Sequence, residues 1–262
     1  MDDINIEDSQ FENPALNSTT QESAEVRGES NNTQLILVPL PIGENSWLWM
    51  NTPQYIDSIT PIRHWVAEDA RTLRRFLSSL KVGIPLNDLD IFELNTRTPQ
   101  KQLEAFLKEI QNTKLIGVAS EAGMPCIADP GAMLVKIGHQ RGWDIKPIMG
   151  PNSLMLALAG SGLNGQTFTF HGYPPINENE LKQLTLLLNN KATDKHSHLF
   201  IETPYRNKAL WEALLKGLQP NTRLARASGL TLPTMDVQCH AVKDWRPSHA
   251  IGDAPTVFAI GK

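Results

Sequence analysis

The stretch LIGVASEAGMPCIADPG, residues 115–131, decides the fold of this 262-residue chain. Its first five residues, Leu115–Ala119, predict a buried strand, and the Gly- and Pro-containing residues that follow predict a loop before a helix over residues 131–141. In open parallel sheets, loops at the carboxyl ends of strands expose main-chain groups to the crevice where ligands bind. Gly123 favours a ligand loop because it lacks a Cβ, whereas a structural loop in which Asp129 begins the next helix is the alternative.

Strand-like and helix-like segments alternate on both sides of this stretch. The apolar residues 35–38 predict a buried strand that ends at a Pro/Gly loop, and residues 68–80 have the apolar spacing of an amphipathic helix. After the central stretch, residues 145–148 predict a strand and residues 152–160 a helix. This alternation is typical of a mostly parallel sheet covered by helices.

The pattern changes near residue 164, where short alternating strands mix with helices. Residues 167–171 and 198–201 predict strands, while residues 178–190 predict a helix. We therefore expect an α/β chain with an N-terminal domain over residues 34–163 and a C-terminal domain over residues 164–262.

Residues 1–33 differ from the rest of the chain in charge and composition. They contain eight acidic residues and one arginine, a net charge of -7, which leaves +3 of the total -4 for residues 34–262. Because they are polar and have few large apolar side chains, they predict a disordered acidic tail. The weakly basic remainder is compatible with RNA, although ordinary surface variation is the better explanation of so small a charge.

Composition also limits the kind of protein. Cys126 and Cys239 stand far apart, with no CxxC or Cys/His cluster around either, so we expect neither a disulfide framework nor a structural zinc site. No apolar run approaches the roughly 20 residues that span a bilayer. We therefore expect a cytoplasmic protein that has no membrane partner.

A second Gly/Pro turn, residues 149–153, follows the strand predicted at 145–148. Asn152 or Ser153 is a good helix N-cap, and the same turn could hold polar atoms of a cofactor. Two such turns from successive strands would lie side by side at one edge of the sheet. Sequence motifs for a P-loop, a zinc protease and a nucleophile elbow are absent, and no GxGxxG turn follows the first strand.

Five blocks in this order strongly resemble the tetrapyrrole methylase superfamily, and within it ribosomal RNA small-subunit methyltransferase I and its divergent paralogues. The blocks, which lie between about Gln34 and Lys262, are LILVPLPIG, AEDARTLRRFL, SEAGMPCIADPGAMLV, GPNSLMLALAGSGL and FIETPYR. The resemblance implies a two-domain α/β fold, each domain a mixed sheet flanked by helices, with S-adenosylmethionine in the cleft between domains. It also implies a homodimer and a methyltransferase acting on ribosomal RNA of the small subunit, at a ribose 2'-hydroxyl or a base.

The resemblance assigns cofactor-binding positions to five short segments of the chain. They are Pro41, Ile42 and Gly43; Gly123, Met124, Pro125, Ile127 and Ala128; Asn152 and Ser153; Thr203 and Pro204; and Leu230.

Several departures from the family pattern bear on the substrate rather than on the cofactor. Met124 replaces a threonine, Met149 a proline and Ala70 a threonine, and Leu232 stands where the RNA enzyme has lysine. Two alternatives therefore remain open: a methyltransferase acting on a small tetrapyrrole-like molecule, and a non-catalytic paralogue that keeps the cofactor cleft.

No catalytic residue is fixed by the sequence. Transfer of a methyl group to a hydroxyl needs a base, and Glu68, Asp69 and Glu202 are candidates because each lies in a family-like block after an apolar segment. For each there is a structural alternative: Glu68 and Asp69 could cap the following helix, and Glu202 could pair with Arg206.

Overall fold

Residues 34–147 form a five-stranded parallel sheet in the computed structural model, which describes residues 32–43, 46–246 and 251–262. The strand order is β3-β2-β4-β1-β5, and every pairing is parallel. The strands are β1 (Gln34–Leu37), β2 (His64–Ala67), β3 (Asp90–Glu93), β4 (Leu115–Ala119) and β5 (Asp144–Pro147). The helices between them are α1 (Pro53–Ile59), α2 (Ala70–Ser79), α3 (Gln100–Glu109) and α4 (Ala132–Gln140).

The helices cover both faces of this first sheet. One face packs with α1 and α2 around Trp65, and the other packs with α3 and α4 around Leu103 and Leu134. A Cβ added to Gly117 would lie 2.5 Å from the Trp65 ring, so the glycine inside β4 makes room for the indole.

The second sheet is mixed and has the order β6-β7-β10-β8-β9. Only the β6–β7 pair is parallel, and the other three pairs are antiparallel. Its strands are β6 (Phe168–Phe170), β7 (Ser197–Glu202), β8 (Arg223–Ser228), β9 (Asp236–Ala241) and β10 (Thr256–Gly261), and its helices are α5 (Ser153–Ser161), α6 (Glu178–Lys191) and α7 (Asn207–Gly217).

The predicted α/β class is confirmed, with one correction to the first sheet. Its described strands are parallel throughout rather than mixed, because each connection between them contains a helix that returns the chain to the same edge. The boundary predicted at residues 163/164 stays a prediction. Helix α5 precedes it in sequence but packs against the second sheet through Leu154, Ala157 and Leu158.

The acidic tail predicted over residues 1–33 lies outside the described residues, except for Asn32 and Thr33. Thr33 Oγ1 donates a hydrogen bond of 2.8 Å to the carbonyl of Thr113, and the Thr33 carbonyl accepts from Asp144 N at 3.0 Å. Among the described residues, no helix is both long and apolar enough to cross a membrane.

Candidate functional site

Three loops at the carboxyl edge of the first sheet meet around Gly123. Gly123 and Leu40 exchange two main-chain hydrogen bonds, each of 2.9 Å, which join the loop after β4 to the loop after β1. Gly123 has a φ of 72°, a conformation that favours glycine. An added Cβ would lie 3.0 Å from Ile42 Cγ2 and 3.3 Å from the Pro151 carbonyl, so this glycine also lets the three loops approach one another.

This geometry corrects the predicted arrangement of the two Gly/Pro turns. Strands β4 and β5 are not adjacent, because β1 lies between them. The turns nevertheless meet, since Gly123 contacts the loop after β1 on one side and Pro151 on the other. The added Cβ would point at these loops rather than into open space, so the reason first given for Gly123 is incomplete.

The rest of the loop after β4 adopts unusual backbone conformations. Cys126 and Ala128 have φ values of 69° and 64°, which cost about 1 kcal/mol each for a residue with a Cβ. Asp129 Oδ1 accepts a hydrogen bond of 2.7 Å from Gly131 N, but the N-cap of α4 is Gly131 and makes no side-chain cap bond. The alternative of Asp129 as the helix cap is therefore wrong. Burial, followed by the Asp129 charge, raises the pKa of the Cys126 thiol to about 12, so the thiol is protonated.

A shallow, open cleft lies against these loops. Six of the thirteen predicted cofactor-binding residues line it, and they are Gly123, Met124, Ile127, Ala128, Asn152 and Ser153. Four residues that the sequence analysis missed complete the lining, and they are Ala122, Leu154, Phe170 and Ile201. The cleft is walled largely by apolar side chains, with a few polar groups from the loops and from Asn152 and Ser153.

Phe170 and Ile201 come from the second sheet and form the wall opposite the loops. They lie at or near the ends of β6 and β7, on the face that packs against α5. The signal that could have found them is the alternation within the two strands. Because side chains alternate between the two faces of a sheet, an apolar residue on the helix-covered face near a strand end can border a cleft at that edge.

The predicted residues of the loop after β1 pack beneath the cleft lining rather than in it. Ile42 packs into the apolar cluster beneath the second sheet, and a Cβ on Gly43 would lie 2.6 Å from Thr231 Oγ1 and 3.2 Å from the Leu230 carbonyl. Leu230 is itself buried in that cluster. This loop therefore contacts the turn after β8 and does not line the cleft, and neither does the buried Pro125.

Asn152 acts as the helix cap that the sequence suggested. Its Oδ1 accepts hydrogen bonds from Leu154 N at 3.0 Å and from Met155 N at 3.2 Å, and α5 begins at Ser153. The Asn152 amide oxygen is therefore occupied by the helix cap, although Asn152 and Ser153 both line the cleft.

Glu202 is a buried carboxylate that is held on both sides. Oε1 accepts from Thr203 N at 2.7 Å and from Thr203 Oγ1 at 3.1 Å, and Oε2 lies 3.1 Å from Arg206 Nη2, an ion pair without hydrogen-bond alignment. The pairing with Arg206 that was the alternative for Glu202 is confirmed. Thr203 and Pro204 turn the chain from β7 towards α7 and do not line the cleft.

Asp69 and Glu68 have different surroundings although they are neighbours. Asp69 caps α2, because its Oδ1 accepts a hydrogen bond of 2.6 Å from Thr72 N, and this bond lowers the pKa of Asp69. Glu68 Oε2 instead accepts a hydrogen bond of 3.2 Å from Glu121 N, next to the cleft-lining Ala122. Burial raises the pKa of Glu68, and the charges of Asp129 and Asp69 raise it further, against the effect of the Glu121 bond.

The Glu68 side of the loops is rich in acidic groups. Glu68 and Asp129 border the same narrow crevice, and burial raises the pKa of Asp129. Burial and the Glu68 charge raise the pKa of Glu121. Among the described residues, no group of three or more His, Cys, Asp or Glu side chains is arranged to hold a metal ion.

Curated proteins named ribosomal RNA small subunit methyltransferase I are similar to this chain. Identity is 29% over 182 residues with the protein of Campylobacter fetus, 29% over 173 residues with that of Thermotoga maritima and 30% over 187 residues with that of Bacillus subtilis. These matches cover 69%, 66% and 71% of this chain, and 65%, 72% and 60% of the respective relatives. The chain thus spans less than two thirds of the Campylobacter and Bacillus proteins.

Solved structures share the fold. The methyltransferase CobJ matches over 89% of this chain and 95% of its own, with a TM-score of 0.57 at 15% identity. The native form of uroporphyrin III C-methyl transferase from Thermus thermophilus matches over 87% of this chain and 97% of its own, with a TM-score of 0.52 at 14% identity. No protein-family model matches this chain. At these identities the likeness concerns the fold, and it confirms the predicted fold class.

Proposed function

We infer that this chain is a member of the tetrapyrrole methylase superfamily and an S-adenosylmethionine-dependent methyltransferase. The observation that carries the proposal is the cleft at Gly123, where residues assigned from sequence alone converge from two separate loops. Similarity to proteins named as methyltransferases supports the reaction type.

The residues of the cleft fit the proposed cofactor. Apolar Met124, Ile127 and Phe170 suit an adenine ring, and the main chain of the loop after β4 with Ser153 offers polar groups for a ribose and an amino-acid end. The carboxylates of Glu68, Glu121 and Asp129 lie near the same loops and favour a cation such as a sulfonium. When bound, S-adenosylmethionine would supply the electrophilic methyl group.

The chain's own contribution would be orientation and proton removal. Loops held by the Gly123–Leu40 bonds and by the Asn152 cap provide a rigid seat, and correct orientation of two reactants contributes roughly 7–11 kcal/mol in favourable intramolecular cases. Of the three candidate bases, Glu68 is the one whose carboxylate is neither a helix cap nor held by an arginine. We assign it to accept the proton of an attacking hydroxyl.

We propose RNA of the small ribosomal subunit as the methyl acceptor, because the relatives at 29–30% identity carry that substrate in their names. Such a substrate places the protein in the cytoplasm. We also propose a homodimer, as the resemblance implies. Helix α5 supports it, since Met155 and Leu156 are exposed apolar side chains on a helix that is apolar on its other faces too.

The decisive experiment offers labelled S-adenosylmethionine and small ribosomal subunits, purified from a strain without this gene, to the full chain. Label in the subunit RNA supports the proposal, and mass spectrometry then finds the methylated atom. Label only in added tetrapyrroles favours the small-molecule alternative. Binding of the cofactor by calorimetry without transfer to either would identify a non-catalytic paralogue. Light scattering of the same protein tests the homodimer.

A further inference from the structure

Two tyrosines stand out from the second-sheet side of the cleft. Tyr173 is 55% exposed and Tyr205 is 84% exposed, on the loops that follow β6 and β7. Exposed tyrosine rings are stacking surfaces for unpaired bases.

The two loops that carry these tyrosines are tied together. Arg206 Nη2 donates hydrogen bonds to the carbonyls of Pro174 at 3.3 Å and Pro175 at 3.4 Å, while its guanidinium also pairs with the buried Glu202. Ile201 N donates to the Gly172 carbonyl at 3.1 Å. Since Arg206 follows Tyr205 and Pro174 follows Tyr173, these bonds fix the backbones of both tyrosines in one surface.

This surface lies at the mouth of the cleft. Ile201, which bonds to Gly172, is itself part of the cleft lining. Burial and then the charges of Glu68, Glu202 and Glu121 raise the pKa of the Tyr173 phenol, which agrees with a hydroxyl that faces the acidic side of the site. The tyrosine surface therefore adjoins the place where the methyl acceptor would enter.

Helix α2 carries a cationic stripe. Arg71, Arg74 and Arg75 are exposed, and their i, i+3, i+4 spacing puts them on one face of α2, which contains no acidic residue. None of the ion pairs found among the described residues involves them. Helix α2 starts two residues after Glu68, whose carboxylate is bonded to Glu121 beside the cleft.

Aromatic rings beside a cationic stripe are the two elements with which proteins hold single-stranded nucleic acid. We propose that the mouth of the cleft binds a single-stranded RNA segment, with Tyr173 and Tyr205 stacking on its bases and Arg71, Arg74 and Arg75 contacting its phosphates. The proposal rests on the proposed function and deepens it. It names an unpaired segment, rather than a duplex, as the form of the acceptor. The positive charge of the stripe alone would attract an acidic protein surface as well as RNA. The stacking of bases on the two tyrosine rings is what favours RNA.

The test measures binding of a mixed-sequence RNA of about 12 nucleotides, single-stranded or as a duplex, to the full chain by fluorescence anisotropy. We expect the single strand to bind better. The double variant Tyr173→Ala, Tyr205→Ala should lose roughly tenfold to a hundredfold in affinity for it, while Tyr173→Phe, Tyr205→Phe should stay within about twofold because the rings remain. The matched control is Leu186→Ala, an equally exposed apolar residue on α6, which should bind as the parent does.

The arginines are tested through salt dependence. Replacing Arg71, Arg74 and Arg75 by glutamine should reduce the slope of log affinity against log salt by about two, since a single strand loses roughly 0.7 per phosphate contact. The control replaces three exposed lysines of other helices, Lys108, Lys136 and Lys216, and should leave the slope unchanged.

The proposal is overturned if the duplex binds as tightly as the single strand, or if the alanine and phenylalanine variants bind alike. Calorimetry with S-adenosylmethionine separates this failure from failure of the proposed function. Cofactor binding that persists in the parent and in all these variants, together with unchanged RNA binding, would dismiss only the RNA surface. Absence of cofactor binding by the parent would dismiss the methyltransferase instead.

Discussion

The two walls of the cleft are built by different means. The wall from the first sheet consists of loops whose shape depends on main-chain hydrogen bonds and on left-handed backbone at Gly123, Cys126 and Ala128. The wall from the second sheet consists of side chains on strands, with charged pairs such as Glu202–Arg206 behind them. The first wall should therefore be sensitive to backbone changes, and the second to changes in side-chain charge and packing.

The largest expected effect concerns Glu68, the proposed base beside the first wall. Glu68→Gln should lower kcat by about a hundredfold or more while S-adenosylmethionine affinity stays within about twofold, because a general base contributes 10²–10⁴ in rate. In the parent enzyme the rate should fall as the pH drops through the raised pKa of Glu68, since the protonated carboxyl accepts no proton. Methyl-transfer rates and calorimetry of both proteins check this.

Asp69→Asn is the control for Glu68. Asp69 caps α2 through Thr72, so its replacement should cost up to about 1 kcal/mol of stability and leave the pH profile of the rate unchanged. A Glu68→Gln variant with the parent's rate would assign proton removal to another group, or indicate an acceptor that is not a hydroxyl.

The next effect concerns the backbone of the first wall. Gly123→Val should lower the free energy of unfolding by about 2–3 kcal/mol, since it combines backbone strain with contacts to Ile42 and the Pro151 carbonyl. It should also weaken S-adenosylmethionine binding at least tenfold, or about 1.4 kcal/mol, because the loops of the cleft must separate. Chemical denaturation and calorimetry measure the two quantities.

Gly142→Val separates strain from crowding at Gly123. Gly142 has nearly the same φ, 69° against 72°, but no atom lies within 4 Å of its added Cβ. This variant should lose only about 1–2 kcal/mol of stability from strain and keep its cofactor affinity. Equal losses in both variants would mean that the meeting of the three loops is unimportant.

The sequence also predicts more of the first wall than of the second. Strand β4 and the loop that follows it were predicted because an apolar run meets Gly and Pro there, and this segment supplies half of the cleft lining. Strand β3 was missed, since DIFE is short and forms a partly exposed edge strand with acidic ends. Such a segment becomes a strand through its neighbours rather than through its own pattern.

The second wall shows why part of a site escapes sequence analysis. Phe170 and Ile201 line the cleft because of their position on strands whose pairing depends on contacts between residues far apart in sequence. Conversely, Gly43 and Leu230 were assigned to the cofactor but contact each other's loops, since short motifs do not tell which face of a turn is covered. Packing, which only the folded chain specifies, decides both.

The third effect tests side-chain packing in the second sheet. Arg226 is buried, its Nη2 lies 2.7 Å from Asp236 Oδ2, and its guanidinium lies 5.7 Å from the ring of Trp211 and 5.5 Å from that of Trp245. Arg226→Met should lower the free energy of unfolding by about 2 kcal/mol, through loss of the ion pair and the cation–π contacts.

Asp236→Asn is the matched test of the ion pair alone. The Asp236 side chain is 40% exposed and screened by water, so this change should cost less than about 1 kcal/mol. Chemical denaturation compares the two variants. A larger loss for Asp236→Asn than for Arg226→Met would show that charge, rather than the two indole rings, holds Arg226 in place.

The smallest effect is the pH dependence of two histidines behind the second wall, His171 and His198. His171 Nε2 and His198 Nδ1 lie 2.9 Å apart, and His196 is adjacent. Burial lowers the pKa of both His171 and His198, with neighbouring histidines and Lys191 acting in the same direction and the Lys191 carbonyl opposing it at His198.

The folded chain therefore binds fewer protons than the unfolded chain below the ordinary histidine pKa of about 6.5. Stability from these groups is complete above that pH and decreases as the pH falls through it towards the lowered values. We expect a loss below about 1 kcal/mol, because His171 is exposed to water. Denaturation of the parent and of His171→Gln between about pH 7.5 and 5 measures it, and the variant should show the shallower slope. If the unfolding free energies of the two proteins changed with pH at the same slope, groups other than His171 would account for the pH dependence.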